Sequence, residues 1–305
     1  MTREELNQEK QQEIYKEQLH ERRKNITIFI FKLSFILIVG FLVFYLYTEF
    51  VSTRLISINE KRIIDKKIPE NFNGLKVIQF SDLHFGTTVF YDELKKLVSQ
   101  INERNADIVV FTGDLIDKNY SLSTEEQEKI IKQLRKINST LGKYAVAGEE
   151  DGDTFLTIMK QSEFEVLDND YDLIYKDTSS PILLIGLNSS LSGNIDINKG
   201  FLYFAEPSHN SNIYTITLSH EPDNINDVLN KYSTDLFLSG HSHNGSIRIP
   251  FIGGIYNVEG AKKYNQPYYK VMDTELFVSS GIGTNGPGFR LFCRPSFNFF
   301  RISNK

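Results

Sequence analysis

Five short apolar runs, each stopping abruptly in Asp, Glu or His, constrain this chain more than any other feature. Residues 75–80 run into Asp82, His84 and Gly86. Residues 107–111 run into Gly113-Asp114-Leu115-Ile116-Asp117, and residues 143–147 into Gly148-Glu149-Glu150-Asp151. Residues 212–218 lead to His220-Glu221-Pro222-Asp223, and residues 235–238 to Gly240-His241-Ser242-His243. Brief apolar segments bounded by turn residues read as buried strands, and residues 181–187 read the same way. Helical signals lie between them. Leu94, Leu97, Val98 and Ile101 recur at i, i+3, i+4 and i+7, which predicts an amphipathic helix over residues 91–104. A Ser123/Glu126 capping box opens a second helix carrying Ile130, Ile131, Leu134 and Ile137. Pro222 starts a short third helix over residues 224–232. Strand, loop and helix in alternation predict an α/β fold with its functional loops at the carboxyl ends of the strands.

The residues at those strand ends are ligand types. An Asp-x-His at a strand tip holds a carboxylate and an imidazole at one fixed point, which suits Mn, Fe, Zn and similar ions. One such pair is equally a turn cap beside a surface histidine. Repetition argues for ligation: four of the six histidines follow these strands, together with Asp82, Asp114 and the acids at 149–151. Two cations about 3.5–4 Å apart need a bridging carboxylate and several terminal ligands, and the set supplies both. The single cysteine, Cys293, excludes an intrachain disulfide and a cysteine-based zinc site. A net charge of −5 argues against a polyanion binder, so no nucleic-acid partner is expected.

Residues 26–47 carry one charge, Lys32. As a helix this run spans about 33 Å, enough for a bilayer core, where a buried core helix is the alternative. The residues after it offer no small-residue cleavage site, so it reads as an uncleaved anchor. Arg22, Arg23 and Lys24 precede it, which predicts a cytoplasmic N-terminus and an external globular part at the cell membrane. Lys61, Arg62, Lys66 and Lys67 are either solvated charges or contacts to anionic headgroups. The expected division is a polar tail over 1–25, an anchor over 26–49, a juxtamembrane linker over 50–72 and one domain over 73–305.

Taken in order, the Asp-x-His, Gly-Asp, Gly-x-x-Asp, His and Gly-His-x-His motifs resemble the signature of the calcineurin-like metallophosphoesterases, and in particular their membrane-anchored or exported bacterial branch. The likeness covers residues 73–305, including Asp114-Leu-Ile-Asp117, the turn at residues 218–223 and the glycine-rich loop at 281–290. It implies a four-layer sandwich of two packed mixed β-sheets flanked by helices, preceded by the transmembrane helix. It also implies two divalent ions (Mn, Fe, Zn or Mg). Asp82, His84 and His243 would hold the first, Asp114 would bridge, and His220, His241 and Glu149 would hold the second. A hydroxide shared by the ions would attack phosphorus in line. Glu150 and Asp151 are the candidate catalytic residues.

One motif departs from the family. Gly148-Glu-Glu-Asp151 stands where the family has Gly-Asn-His-Asp. Two divalent ions with Asp82 and Asp114 leave a charge of +2, and a bound Glu149 lowers it to +1. Glu150 replaces a histidine that contacts phosphate, and neighbouring cations keep a carboxyl ionised. A less charged diester or pyrophosphate is then the better substrate, as a phosphorylated small molecule or a lipid-linked one. The alternative is a catalytically weak, metal-binding relative that acts as a binding protein at the membrane. Asn244 and Ser246 also depart from the family's Gly-Gly-Gln, and Arg290 and Arg294 read as surface or structural arginines rather than phosphate contacts.

Overall fold

The structure, a computed structural model, describes the chain apart from Met1, Thr178, Ser179, Asn210, Pro250 and Pro287, and apart from the side chains of Glu5, Glu9 and Phe50. Pro287, part of the glycine-rich loop noted above, therefore lies outside the described residues. The chain forms two units, residues 1–48 and 49–305. The first is a single helix, α1 (Arg3–Leu46), so the polar tail and the apolar run are continuous. Its described side chains are all exposed, and the helix is long and apolar enough to cross a membrane.

The second unit contains, in order, β1 (Ser57–Ile64), β2 (Leu75–Phe80), α2 (Tyr91–Asn102), β3 (Ile108–Thr112), α3 (Thr124–Leu134), β4 (Gly142–Val146), α4 (Asp153–Gln161), β5 (Glu165–Val166), β6 (Asp170–Ile174) and β7 (Ile182–Gly186). There follow α5 (Ile197–Gly200), β8 (Thr215–Leu218), α6 (Ile225–Leu229), β9 (Leu236–Ser239), the small β10 (Arg248–Ile249) and β11 (Gly253–Gly254) pair, β12 (Tyr268–Val271), β13 (Thr274–Val278) and β14 (Ser296–Ser303). One sheet runs β1-β14-β2-β3-β4-β5 and the other β12-β13-β9-β8-β7-β6. Both are mixed. The first is antiparallel only between β14 and β2, and the second only at its outer pairs.

Period-two alternation sorts the strand side chains into layers. Leu75 and Val77 of β2, Ile108 and Val110 of β3 and Tyr144 and Val146 of β4 face Leu184, Ile216 and Leu238 of the second sheet. The intervening Ile78, Phe80, Val109 and Phe111 pack beneath Leu94 and Leu97 of α2, Ile130 and Leu134 of α3 and Phe155 of α4. Ile185 and Phe237 cover the far side with Phe201 and Ile225. The result is the four-layer arrangement. Burying each such side chain is worth about 1.5–3 kcal/mol, so the positions of the strand ends are strongly fixed. Polar groups also cross the sheet interface: Tyr144 donates to Asp172 at 2.7 Å, and Gln79 donates to the Ser239 carbonyl at 2.8 Å and accepts from Asn298 at 2.9 Å. Gln79 ties β2 to β9, one ligand-bearing strand from each sheet.

The linker expected over residues 50–72 is corrected by the structure. β1 pairs with β14 in parallel from Ser57↔Ser296 to Ile64↔Ser303, and Ile63, Ile68 and Phe72 are core residues. Glu60, Lys61 and Arg62 obscure the strand in the sequence. At a sheet edge, charges of this kind block pairing with a further chain.

Candidate metal centre

Each expected ligand sits just beyond a strand end, five of the seven on backbone that turns sharply. Asp82 (φ 51°), His84 (φ 39°), Asp114 (φ 62°), His241 (φ 67°) and His243 (φ 46°) all occupy the left-handed region. Non-glycine residues rarely adopt it, and it persists where surrounding structure over-determines the backbone. The tight approach also requires glycine at 113 and 148. A Cβ on Gly113 would strike His220 Nδ1, and one on Gly148 would strike Asp114 Oδ1.

Among the described residues the ligands gather at two foci. Asp82, His84 and His243 form one group, and Asp114, Glu149, His220 and His241 the other; the ligand atoms within each group all lie within 4.8 Å of one another. Asp114 Oδ2 lies between them, 3.6 Å from His84 Nε2 and 3.3 Å from His220 Nε2. Glu149 spans the second focus, with its oxygens 2.9 Å from His220 Nε2 and 3.0 Å from His241 Nδ1. At the first, His84 Nε2 is 3.1 Å from His243 Nε2, and Asp82 Oδ1 is 3.5 Å from the latter.

A second layer of contacts orients these groups. The Thr112 carbonyl lies 2.6 Å from His220 Nδ1 and the Glu259 carbonyl 2.5 Å from His241 Nε2, leaving Nε2 of the one and Nδ1 of the other facing Glu149. Arg290 is fully buried; its guanidinium lies 3.2 Å from His243 Nδ1 and donates to the Ser280 carbonyl, so it is a structural arginine, while Arg294 is exposed. Asn244 and Ser246 also take left-handed backbone, φ 50° and 49°.

The charges respond to this crowding. Burial works against protonated His220 and His241, but Asp114 and Glu149 outweigh it for His220 and Glu149 does so for His241, so both sit above the ordinary imidazole value. For His84, burial is likewise overcome by Glu150, Asp114 and Asp82, to about 8. Burial together with the charges of His84 and Arg290 pushes His243 well below it. Glu149, although buried, is held far down by His220 and His241. Burial raises Asp82.

The donor set fits divalent cations. Asp82 Oδ2 is buried with no hydrogen-bond partner, Glu149 Oε2 and His220 Nε2 face other ligand groups of the same focus, and imidazole with carboxylate oxygen is the ligand chemistry of Mn, Fe and Zn. The two remaining acids point elsewhere. Asp151 turns its carboxylate onto backbone, accepting from Asp114 N (2.7 Å) and Gly148 N (2.9 Å) on Oδ2 and from Leu115 N (2.9 Å) on Oδ1. Burial and the charge of Asp114 raise it to about 7. Glu150 faces His84 Nδ1 at 3.3 Å and Lys118 Nζ at 3.1 Å; despite burial, these two lower its pKa.

A cleft of about 770 Å³ opens beside the centre. Glu149, His241, His243, Lys118 and Asn285 line its polar side, and Leu191, Ile255, Tyr256, Val258 and Phe289 its apolar side. Sequence reasoning missed Lys118 and Asn285. Lys118 directly follows the Asp114–Asp117 motif, but nothing in the sequence says that it turns toward the centre.

Among known proteins, several metallophosphoesterases resemble this chain in sequence. A metallophosphoesterase of Bacillus subtilis, YkuE, is 29% identical over 265 residues, covering 85% of this chain and 90% of that protein. The UDP-2,3-diacylglucosamine pyrophosphatase LpxG of Chlamydia muridarum is 25% identical, covering 72% of this chain and 82% of its own. A zebrafish (Danio rerio) transmembrane protein with a metallophosphoesterase domain is 27% identical over 75% of this chain and 53% of its own. The solved calcineurin-like phosphoesterase YfkN of B. subtilis aligns at a TM-score of 0.41 and 13% identity, covering 68% of this chain and 81% of that one. The family model of the calcineurin-like phosphoesterases matches residues 75–245, and the chain belongs to that family of metal-dependent hydrolases with a dinuclear divalent centre.

Proposed function

We propose that this protein is a membrane-anchored phosphoesterase that hydrolyses a phosphodiester or pyrophosphate bond, with Asp82, His84 and His243 holding one cation, His220, His241 and Glu149 the other, and Asp114 both. The observation that carries the reading is Asp114 Oδ2, placed within 3.6 Å of a histidine from each focus. When bound, the two cations supply an activated nucleophile and neutralise charge on the phosphoryl oxygens. This chain's residues fix where that happens. Asp151 clamps the backbone of Asp114 and Gly148, so its part is positional rather than chemical. Glu149 lowers the charge of the centre, which favours a singly charged diester or a pyrophosphate over a monoester dianion. Glu150 is held ionised, so it is unsuited to donate a proton to a leaving group. Substrates whose leaving groups need little help are favoured again.

The apolar wall of the cleft, with Ile255, Tyr256 and Phe289, supports an amphiphilic, lipid-linked substrate. The pyrophosphatase activity of the Chlamydia relative, on a diacylated nucleotide sugar, points the same way. The anchor assigned to α1 and the basic residues at 22–24 support a cell-membrane location with the domain outside.

The test is hydrolysis by the full-length protein in detergent, supplied with Mn. Bis(p-nitrophenyl) phosphate and a lipid-linked pyrophosphate should be cleaved faster than p-nitrophenyl phosphate. A preference for the monoester would overturn the substrate class.

A further inference from the structure

A third group of ligand-type residues adjoins the centre; it shares His84 with the first focus and adds two acids that hold neither cation. His84, Asp117 and Glu150 offer atoms within 4.8 Å of one another. Asp117 is 4% exposed; its Oδ1 accepts from Asn119 N, and its Oδ2 has no partner. The Glu150 side chain is 3% exposed. Its carboxylate accepts from Lys118 N (3.1 Å) and from Asn285 Nδ2 (2.8 Å), and it faces His84 Nδ1. Two carboxylates at such a site need a cation beside them. Lys118 supplies one, its ammonium 3.1 Å from Glu150 Oε1 and its side chain 60% exposed.

That ammonium borders the cleft together with Glu149, His241 and Asn285. The two members of the pair therefore face different surroundings. The acid is enclosed, whereas the cation is presented to whatever enters. We infer that Lys118 binds a phosphoryl oxygen of the substrate and that Glu150 is the positioning residue that holds it there. The inference rests on the phosphoesterase reading above. It gives the departure at position 150 a physical meaning: a buried carboxylate with several donors around it is a fixed seat for a lysine. The pair is neutral overall, so it offers phosphate a fixed donor rather than added net charge.

The experiment uses the full-length protein loaded with two Mn ions. Inorganic phosphate binding is measured by calorimetry, KM and kcat on bis(p-nitrophenyl) phosphate, and metal content by mass spectrometry. K118M should weaken phosphate binding and raise KM roughly tenfold, with a smaller change in kcat, because one charge-assisted hydrogen bond is lost. K118R should stay within a few-fold of wild type. E150Q leaves the ammonium present but unheld and should lose part of the affinity, and K118M/E150Q should be no weaker than K118M alone. Each variant should retain two Mn ions. Unchanged phosphate affinity in K118M would overturn the inference. So would a third Mn in wild type that disappears in E150Q, since the group would then be a cation site. Phosphate binding that depends on Lys118, in a wild-type protein with no hydrolytic activity, would sustain Lys118 and sink the phosphoesterase reading instead.

Discussion

Replacing Asp151 by Asn should make the protein's stability less dependent on pH, and in a direction the structure specifies. The carboxylate accepts three backbone N–H groups, at 2.7, 2.9 and 2.9 Å. Asn keeps one acceptor oxygen. With that oxygen serving Asp114 and Gly148, the Leu115 N–H faces an NH₂ group and is left unsatisfied, at a cost of about 1–3 kcal/mol. Against this stands the burden of ionising Asp151. Its folded pKa is about 7, raised by burial and by Asp114 from an ordinary 3.8. A carboxyl raised in the folded state contributes stability at low pH that is lost as pH climbs through the folded value. From pH 5 to beyond 7 this is about two units, or about 3 kcal/mol at 1.36 kcal/mol per unit. Asn carries no such term. Wild type has already lost about 1.6 kcal/mol of that term by pH 5, so in EDTA-treated, detergent-solubilised protein D151N should lie within about 1 kcal/mol of wild type at pH 5 and be more stable by about 1–3 kcal/mol at pH 8.5. Urea unfolding followed by tyrosine fluorescence is suited to this, since the chain has 15 tyrosines and no tryptophan. Parallel curves, with the variant destabilised equally at both pH values, would show that Asp151 is not ionising at that cost and refute the reasoning.

Three further outcomes are expected. Asp114→Asn should lower bound Mn from two per chain toward one or none, because its carboxylate faces both foci; two tightly held ions in that variant would remove its bridging role. Mn affinity should rise between pH 6 and pH 8.5, because protons on His84, at about 8, and on the raised His220 and His241 must leave before cations bind; each displaced proton contributes about tenfold per pH unit below its pKa, and a flat Mn titration across that range would contradict the ligand set. Protease added to intact cells or spheroplasts should digest the domain, whereas protection lost only on lysis would reverse the orientation assigned to α1.

The sequence disclosed the strands that carry ligands because each is a mostly apolar run buried on both faces. Val109 and Val110 in β3 serve two different layers, so no polar residue interrupts the pattern. The ligands were legible for the complementary reason, as polar residues just where such runs stop. β1 was hidden because Glu60-Lys61-Arg62 at a sheet edge look like a solvated linker. β14 was hidden because its neighbours in the sheet, β1 and β2, lie at the other end of the domain in sequence. The orientations of the two acids were also out of reach. Gly148-Glu-Glu-Asp151 shows three acids in a row, and only the three-dimensional placement sends Glu149 to the histidines, Glu150 to Lys118 and Asp151 to the backbone of its own loop.

The place of β14 bears on how the protein is made. This strand follows every other described strand of the domain in chain order, yet it lies between β1 and β2, among the earliest residues of the domain to emerge. Until residues 296–303 leave the ribosome, the first sheet has a gap where its only antiparallel neighbour to β2 belongs, and β1 has no partner at all. Contacts that span so much of the chain form slowly, because loop closure precedes the stabilisation it brings. A nascent chain therefore leaves the first sheet incomplete until residues 296–303 have emerged.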